Sequence, residues 1–357
     1  MKINKLILTA IAGSLLFVSC SDDDSDSNTP SGAYDNGMLI INQGNFGQGN
    51  STVSFLSDDL VLENNIFAAV NPGHILGDTA QDIAFKGDLA YIVLNFSNKI
   101  EIVNRYTFAH VGTINQGLDN PRYIAIHDNK AFVTNWGDGG VETDDYVAVI
   151  NLSTNAVTSE IAVTEGPERI LEEDGKLYVS HKGGYGYGNS ITVINGSSNA
   201  VITTIAVGDV PNMMEEEDGK LYVMCEGKPS WAPTAETPGS LVVINLSNNT
   251  VTSTLPFTGT SHPSNLVIED DKIYFTEGSD IYTMAKNATT LPSAPLFTTT
   301  EQGVYGVSAF AVEDNRIYVG DATDFNSNGK VYVYSLAGAL QNTFTVGITP
   351  AGFYFND

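Results

Sequence analysis

The chain reads as an all-β protein, a seven-bladed β-propeller with four strands in each blade. Three observations lead there. The octapeptide Glu-Glu-Asp-Gly-Lys-Leu-Tyr-Val occurs twice, at Glu172–Val179 and Glu216–Val223, 44 positions apart. Weaker copies of the unit around it recur every 45 residues or so, a period that suits propeller blades. Finally, the two ends of the chain look like complementary parts of one further unit.

The repeat is anchored at Ala80, Pro121, Pro167, Pro211, Pro263, Val307 and Pro350, with steps of 41, 46, 44, 52, 44 and 43 residues. In the first six units, ten residues separate the anchor from the residue before an aromatic, as in Pro167 to Leu177-Tyr178 and Ala80 to Ala90-Tyr91. Short β-branched runs follow, such as 191–194, 201–207, 241–244 and 251–255. Turn clusters at 195–199 and 245–249 separate them. This makes four short strands per unit and no convincing helix, which excludes helical solenoids. Residues 350–357 read as a first strand with nothing after it. The runs 37–41, 52–56 and 60–67 read as the other three with nothing before them. Joined, they complete a seventh blade and remove two open sheet edges. The expectation is that Phe353 and Tyr354 lie beside Leu39–Ile41.

Ahead of the repeats, Lys2 and Lys5 precede an apolar run of 13 residues, 6–18, which reads as a signal peptide over residues 1–19. It ends in Phe17-Val-Ser-Cys20, which resembles a lipobox and marks Cys20 for lipid attachment. Residues 20–36 then read as a lipidated, flexible, acidic tether, because 21–32 contain no residue able to build a core. The propeller is expected over 37–357. The other cysteine, Cys225, has no partner in the mature domain, so no disulfide framework is expected. There are 42 acidic residues against 16 basic ones, a formal net charge of −26. A nucleic-acid partner is therefore excluded, and so is docking on an anionic bilayer through a basic patch; the lipid is the expected membrane contact.

The pattern Pro-x-x-apolar, Gly-Lys-Leu-Tyr-Val, Val-x-Val-Ile-Asn resembles the YVTN-type propeller families across residues 37–357. The stretches 41–47, 120–136 and 321–334 are similar to surface propeller lipoproteins of Bacteroidetes. An acidic run directly after the lipidated cysteine resembles the surface-export signal of such lipoproteins. The resemblance implies display on the outer membrane. It includes lipoproteins that capture cobalamin and pass it to a TonB-dependent transporter, so a corrinoid ligand and such a transporter partner are what it implies here.

The residues themselves point to one face. Turns between strands one and two are short and uniform, whereas loops after strand two vary and carry both tryptophans. Rigid aromatics among Asn and Gly in such loops suit ligand binding. The candidate ligand-binding residues are Phe46, Arg122, Asn135, Trp136, Arg169, His181, Tyr185, Tyr187, Trp231, Asp321 and Phe325. No histidine falls in a close metal-ligating spacing, no nucleophile motif has a credible setting, and no resident cofactor is expected. Two weaker metal readings remain: a site from His181, Glu226, His262 and Glu277, and calcium at Asp324-x-Asn326-x-Asn328-Gly329. The latter has Ser335 where an EF-hand loop needs Glu. Capture of a small ligand without catalysis is the leading expectation. A protein-interaction or glycan-binding scaffold, and a metal-dependent lactonase or lyase, stay open beside it.

Overall fold

The computed structural model describes residues 31–356. The stretch read as a signal peptide, Cys20 and most of the acidic run lie outside them. The described residues form seven separate four-stranded antiparallel sheets. Their innermost strands are Ala80–Lys86, Pro121–His127, Pro167–Glu173, Pro211–Glu217, Ser264–Glu269, Val307–Glu313 and Pro350–Phe355. Each adjoins the next, and the last adjoins the first, so the sheets close a ring around a channel. We number the blades from the one that contains both chain ends. Blade 1 therefore holds Pro350–Phe355 and Gly37–Asn42, blade 2 opens at Ala80, and blade 7 opens at Val307.

The repeated octapeptide is explained by one turn. Asp174 and Gly175 have φ of 50° and 74°, and Asp218 and Gly219 have φ of 54° and 70°. Two consecutive left-handed residues make the two-residue hairpin whose twist matches the flanking strands, which is why Asp-Gly recurs. The Glu before it accepts the glycine N–H: Gly175 N donates to Glu172 Oε1 at 2.9 Å, and Gly219 N to Glu216 Oε1 at 2.8 Å. Leu-Tyr-Val then begins strand two with side chains buried between blades. Tyr178 of blade 4 packs with Leu221 and Val223 of blade 5, and Tyr274 of blade 6 with Ile317 and Val319 of blade 7. A buried hydroxyl adds a polar tie. Thr134 Oγ1 accepts Tyr123 N at 3.0 Å and donates to the Glu168 carbonyl of the next blade at 2.7 Å.

The ring closes as the two chain ends suggested. Gly37–Asn42 pairs antiparallel with Pro350–Phe355, placing Leu39 opposite Tyr354 and Ile40 opposite Phe353. Asn356, fully buried, pins this closure. Its N–H donates to Gly37 O at 2.7 Å, its Oδ1 accepts from Arg105 Nε of blade 2, and its Nδ2 donates to the Tyr34 and Arg105 carbonyls. Tyr34, within the stretch read as tether, is itself buried edge-on against Phe55 and Phe108.

One element differs from the reading above. The run 60–67 is not one strand: the fourth strand of blade 1 is only Leu62–Glu63, and Ile66–Val70 is a short helix. A strand would send Ile66 and Phe67 to opposite sides. A helical turn lets both enter the same core cluster, where each is only 1% exposed. Ala68 and Ala69 favour that turn.

Because strands alternate in direction, the short hairpins share one face of the ring. The loops after strand two and the connections between blades share the other, which we call the loop face.

Candidate functional site on the loop face

Six aromatic side chains are exposed among the described residues: Phe46, Phe96, Tyr185, Trp231, Tyr305 and Phe325. All six sit in loops of the loop face, five after a strand two and Tyr305 in the connection into blade 7. An even scatter of exposed rings would be unremarkable; their confinement to one face of seven blades is not.

Three of these rings converge. Phe46, Phe96 and Tyr185 line a recess of about 300 Å³ whose polar walls are Asn95, Asn98, Asp119, Asn120 and Asp138. Phe46 and Phe96 touch, with centroids 4.2 Å apart. The amides hold one another: Asn95 Nδ2 donates to Asn120 Oδ1 at 2.5 Å, Asn120 N to Asn98 Oδ1 at 2.8 Å, and Asn98 Nδ2 to Asp119 Oδ1 at 3.4 Å. The far side of Phe46 opens into a second hollow of about 660 Å³, shared with Gln43, Gln48, Phe325 and Asn326. Asn45 Nδ2 bridges to the Phe325 carbonyl at 3.1 Å, joining blades 1 and 7 across it. The two hollows form a trough with aromatic sides and amide edges.

The trough rests on a rigid base. Trp136 is buried rather than displayed: its Nε1 donates to the Pro167 carbonyl at 3.0 Å, and its ring meets Tyr185 edge-on at 6.1 Å. Gly139 lies where any Cβ would come within 2.9 Å of the Tyr185 ring, so only glycine lets that ring settle there. Arg122 covers Trp136 at 4.2 Å and holds Glu168 with two bonds, Nε to Oε2 at 2.9 Å and Nη2 to Oε1 at 2.8 Å. Burial would lift the Glu168 carboxyl; the adjacent Arg122 guanidinium outweighs this and holds it below the usual range. The line Glu168, Arg122, Trp136, Tyr185 thus runs from the channel to an exposed ring.

The remaining candidates take other places. Asn135 is buried, its Oδ1 accepting Asp119 N at 3.0 Å and its Nδ2 donating to Val133 O at 2.8 Å, so it shapes the loop that carries Asp119. His181 is buried with Nε2 2.8 Å from Thr192 Oγ1, and burial pushes its imidazole down to about 4, leaving it neutral. Asp321 is buried and accepts Thr323 N at 2.9 Å. Tyr187 is half-buried beside Tyr185 in sequence, and Trp231 is exposed but lines neither hollow. Arg169 stacks on Tyr123 at 4.0 Å inside the channel.

Three of the four residues of the histidine-rich metal reading, His181, His262 and Glu226, have other partners. His262 Nδ1 accompanies the Glu226 carbonyl at 2.9 Å and its Nε2 the Glu236 carboxylate at 3.2 Å, while Glu226 Oε1 accepts Asn212 Nδ2 at 2.6 Å. At the calcium-like stretch, Asp324 accepts the Asn326 and Ser327 N–H groups at 3.0 and 2.7 Å and closes a polar turn. Among the described residues, Glu217, Asp218 and Asp271 come within ligating reach of one another. The Lys286 ammonium already meets all three, at 3.0, 2.7 and 2.8 Å.

Two channel carboxyls are displaced upward. Burial raises Asp82 to about 6 against the pull of Arg169, although it accepts Ile124 N at 2.9 Å and the Tyr354 hydroxyl at 2.8 Å. Burial likewise pushes Glu215 up to about 7, with Arg169 opposing.

Fold and site together define a β-propeller scaffold with one aromatic, recessed face. The chain belongs to the family described as Domain of unknown function (DUF5074), whose model matches residues 36–355. No curated protein matches the chain. Among solved structures it is similar to a quinonprotein alcohol dehydrogenase-like protein of Bacteroides thetaiotaomicron VPI-5482, at 16% identity and TM-score 0.67, covering 91% of this chain and 79% of that one. It is also similar to a functionally unknown protein of Desulfotomaculum acetoxidans, at 12% identity and TM-score 0.64, covering 89% and 98%. Hydrazine synthase of Kuenenia stuttgartiensis aligns at 14% identity and TM-score 0.59, covering 79% and 92%. At these identities the likeness is one of fold.

Proposed function

We propose that the protein captures a small ligand without chemistry in the trough of its loop face, on the outer surface of the cell, and hands it to a membrane transporter. The observation that carries this reading is the convergence of Phe46, Phe96 and Tyr185, from three different blades, on one amide-edged recess. Flat apolar walls with fixed amide rims suit a broad, rigid ring system bearing amide substituents. Cobalamin or a related corrinoid has that character, and it is the first ligand to test. Titration calorimetry of the purified full chain with cyanocobalamin is expected to give micromolar or tighter binding. Phe46→Ala and Tyr185→Ala are each expected to weaken it about tenfold or more, the loss of one anchoring ring. Absence of heat at micromolar concentrations removes corrinoids; binding that both variants leave intact removes the trough.

Trp231 and Tyr305, 81% and 95% exposed outside the two hollows, favour a second role for the same face: docking a protein such as the barrel of a TonB-dependent transporter during transfer. Anchorage is proposed at Cys20. Labelled palmitate is expected to enter the wild-type chain and not Cys20→Ala; equal labelling of both sinks the anchor.

A further inference from the structure

We propose that the central channel holds a second ligand site, for a small carboxylic acid, between Arg169 on one wall and Ala309 and Ala311 on the other. The site is separate from the loop-face trough and does not depend on its ligand.

The channel is filled unevenly. Arg169 of blade 4, stacked on Tyr123 and in the field of Asp82, stands on one side, whereas the wall from blades 7 and 1 includes Ala309, Ala311 and Gly352 beside Phe310, Phe353 and Phe355. Between these walls lies a cavity of about 320 Å³, which Arg169, Glu215, Asn265, Val267, Ala309 and Ala311 help to line. That is the small end of the range for ligand cavities, and equals the volume of about ten waters in bulk liquid.

Arg169 is the unusual member. Arg122, its neighbour one blade away, is paired with Glu168 through two hydrogen bonds. The Arg169 side chain makes no ion pair or hydrogen bond within the described residues, and its Nε is buried without a partner. The guanidinium stacks on Tyr123 and sits in the field of nearby acidic groups without a direct hydrogen-bonded partner, in a place where an unmet N–H costs stability. A carboxylate supplies the missing partner in the geometry a guanidinium prefers.

Glu215 lines the same cavity and forms no ion pair within 4 Å of Arg169 among the described residues. Held up to about 7, it carries a proton readily near neutral pH and then donates O–H to the second oxygen of a bound carboxylate. Where Glu215 is ionised, binding draws that one proton from solvent; no covalent bond changes. Asp82, Glu168, Tyr123 and Tyr354 share the field of Arg169, and Glu269 and Glu313 lie along the cavity wall. This negative surround is why the acid's own carboxylate needs a neutral Glu215. The alkyl part of the acid lies against Val267, Ala309 and Ala311, which offer apolar surface and no competing polar side chain.

The test is calorimetric titration of the full chain with butyrate, and with butyramide as an uncharged match. Butyrate is expected to bind in the millimolar range or tighter, about tenfold or more better than butyramide. Ala311→Leu, which crowds a cavity wall that also packs against blade 1, and Arg169→Gln are each expected to reduce butyrate binding about tenfold or more. Glu215→Gln keeps a donor and is expected to retain binding within about threefold. Tyr185→Ala, on the trough, is expected to leave it unchanged, so the two sites stand or fall separately. Thermal melts report folding; if Arg169→Gln does not fold, Ala311→Leu decides. No heat at tens of millimolar butyrate, or undiminished binding to a folded Ala311→Leu variant, overturns the site.

Discussion

A chain ending at Thr349 is expected to lose its single cooperative thermal transition and to aggregate, although the deletion leaves six blades with their strands intact. The reason lies in what residues 350–356 bury. Phe353, Tyr354 and Phe355 are half-buried against Tyr318 and the blade 1 core, and Asn356 is fully buried. At about 1.5–3 kcal/mol for a fully buried large side chain, three half-buried rings contribute on the order of 3–4 kcal/mol. The strand ladder to Gly37–Asn42 goes with them, and Arg105 and the Tyr34 carbonyl lose Asn356. The total, on the order of 5 kcal/mol, rivals the 5–15 kcal/mol that typically separates folded from unfolded domains. Deletion also bares two edges, one on each side of the gap, which template aggregation. Far-ultraviolet dichroism during heating checks this. A peptide of sequence Pro-Ala-Gly-Phe-Tyr-Phe-Asn-Asp added in trans is expected to restore part of the transition. A truncated chain that melts cooperatively within a few degrees of wild type would falsify the closure as a main source of stability.

The closure was legible in the sequence because each half of a split blade carries the strand pattern its partner lacks. Blade number followed from the spacing, and the spacing from turn chemistry: Asp174-Gly175 and Asp218-Gly219 must both be left-handed, which few residue pairs tolerate. The trough was legible only in part. Phe46, Tyr185 and Phe325 stood out because glycines surround them and no strand period claims them. Phe96 did not stand out, although it touches Phe46, because its short loop Asn95–Asn98 follows a degenerate repeat and reads as a plain turn. Trp136 has the same sequence context as an exposed ring. Its burial depends on Pro167 O and Arg122, which come from a neighbouring blade and a different strand, and no local pattern encodes that contact. Asn356 reads as an unremarkable terminal polar residue; its partners are spread over positions 34, 36, 37 and 105.

Arg122→Ala is expected to destabilise the fold by about 3–5 kcal/mol, and replacing both partners, Arg122→Met with Glu168→Met, by far less. The asymmetry follows from burial. Side chains of Arg122 and Glu168 are 16% and 5% exposed, so deleting the cation leaves a carboxylate with neither water nor a partner. Removing both charges cancels the desolvation cost along with the attraction. The pair also has a pH signature. Glu168 is held below its ordinary value, so its contribution is present above the unfolded carboxyl range and is lost as pH falls through the folded value. Asp82 and Glu215 are displaced the other way, to about 6 and about 7, so each opposes folding increasingly as pH rises from the ordinary carboxyl range to those values. The double variant keeps the second effect and loses the first. Its stability relative to wild type is therefore expected to improve below about pH 4.5 and to be flat above pH 6, as measured by urea unfolding across that range. Trp136 supplies an independent readout, because Arg122 lies 4.2 Å from its ring and Tyr185 stands against its edge. If the pair sets the floor of the trough, the folded double variant should show shifted Trp136 fluorescence and weaker ligand binding through Tyr185. Stability losses that are equal for the single and double variants, or a relative stability independent of pH, would show that the pair is not the buried support the geometry describes.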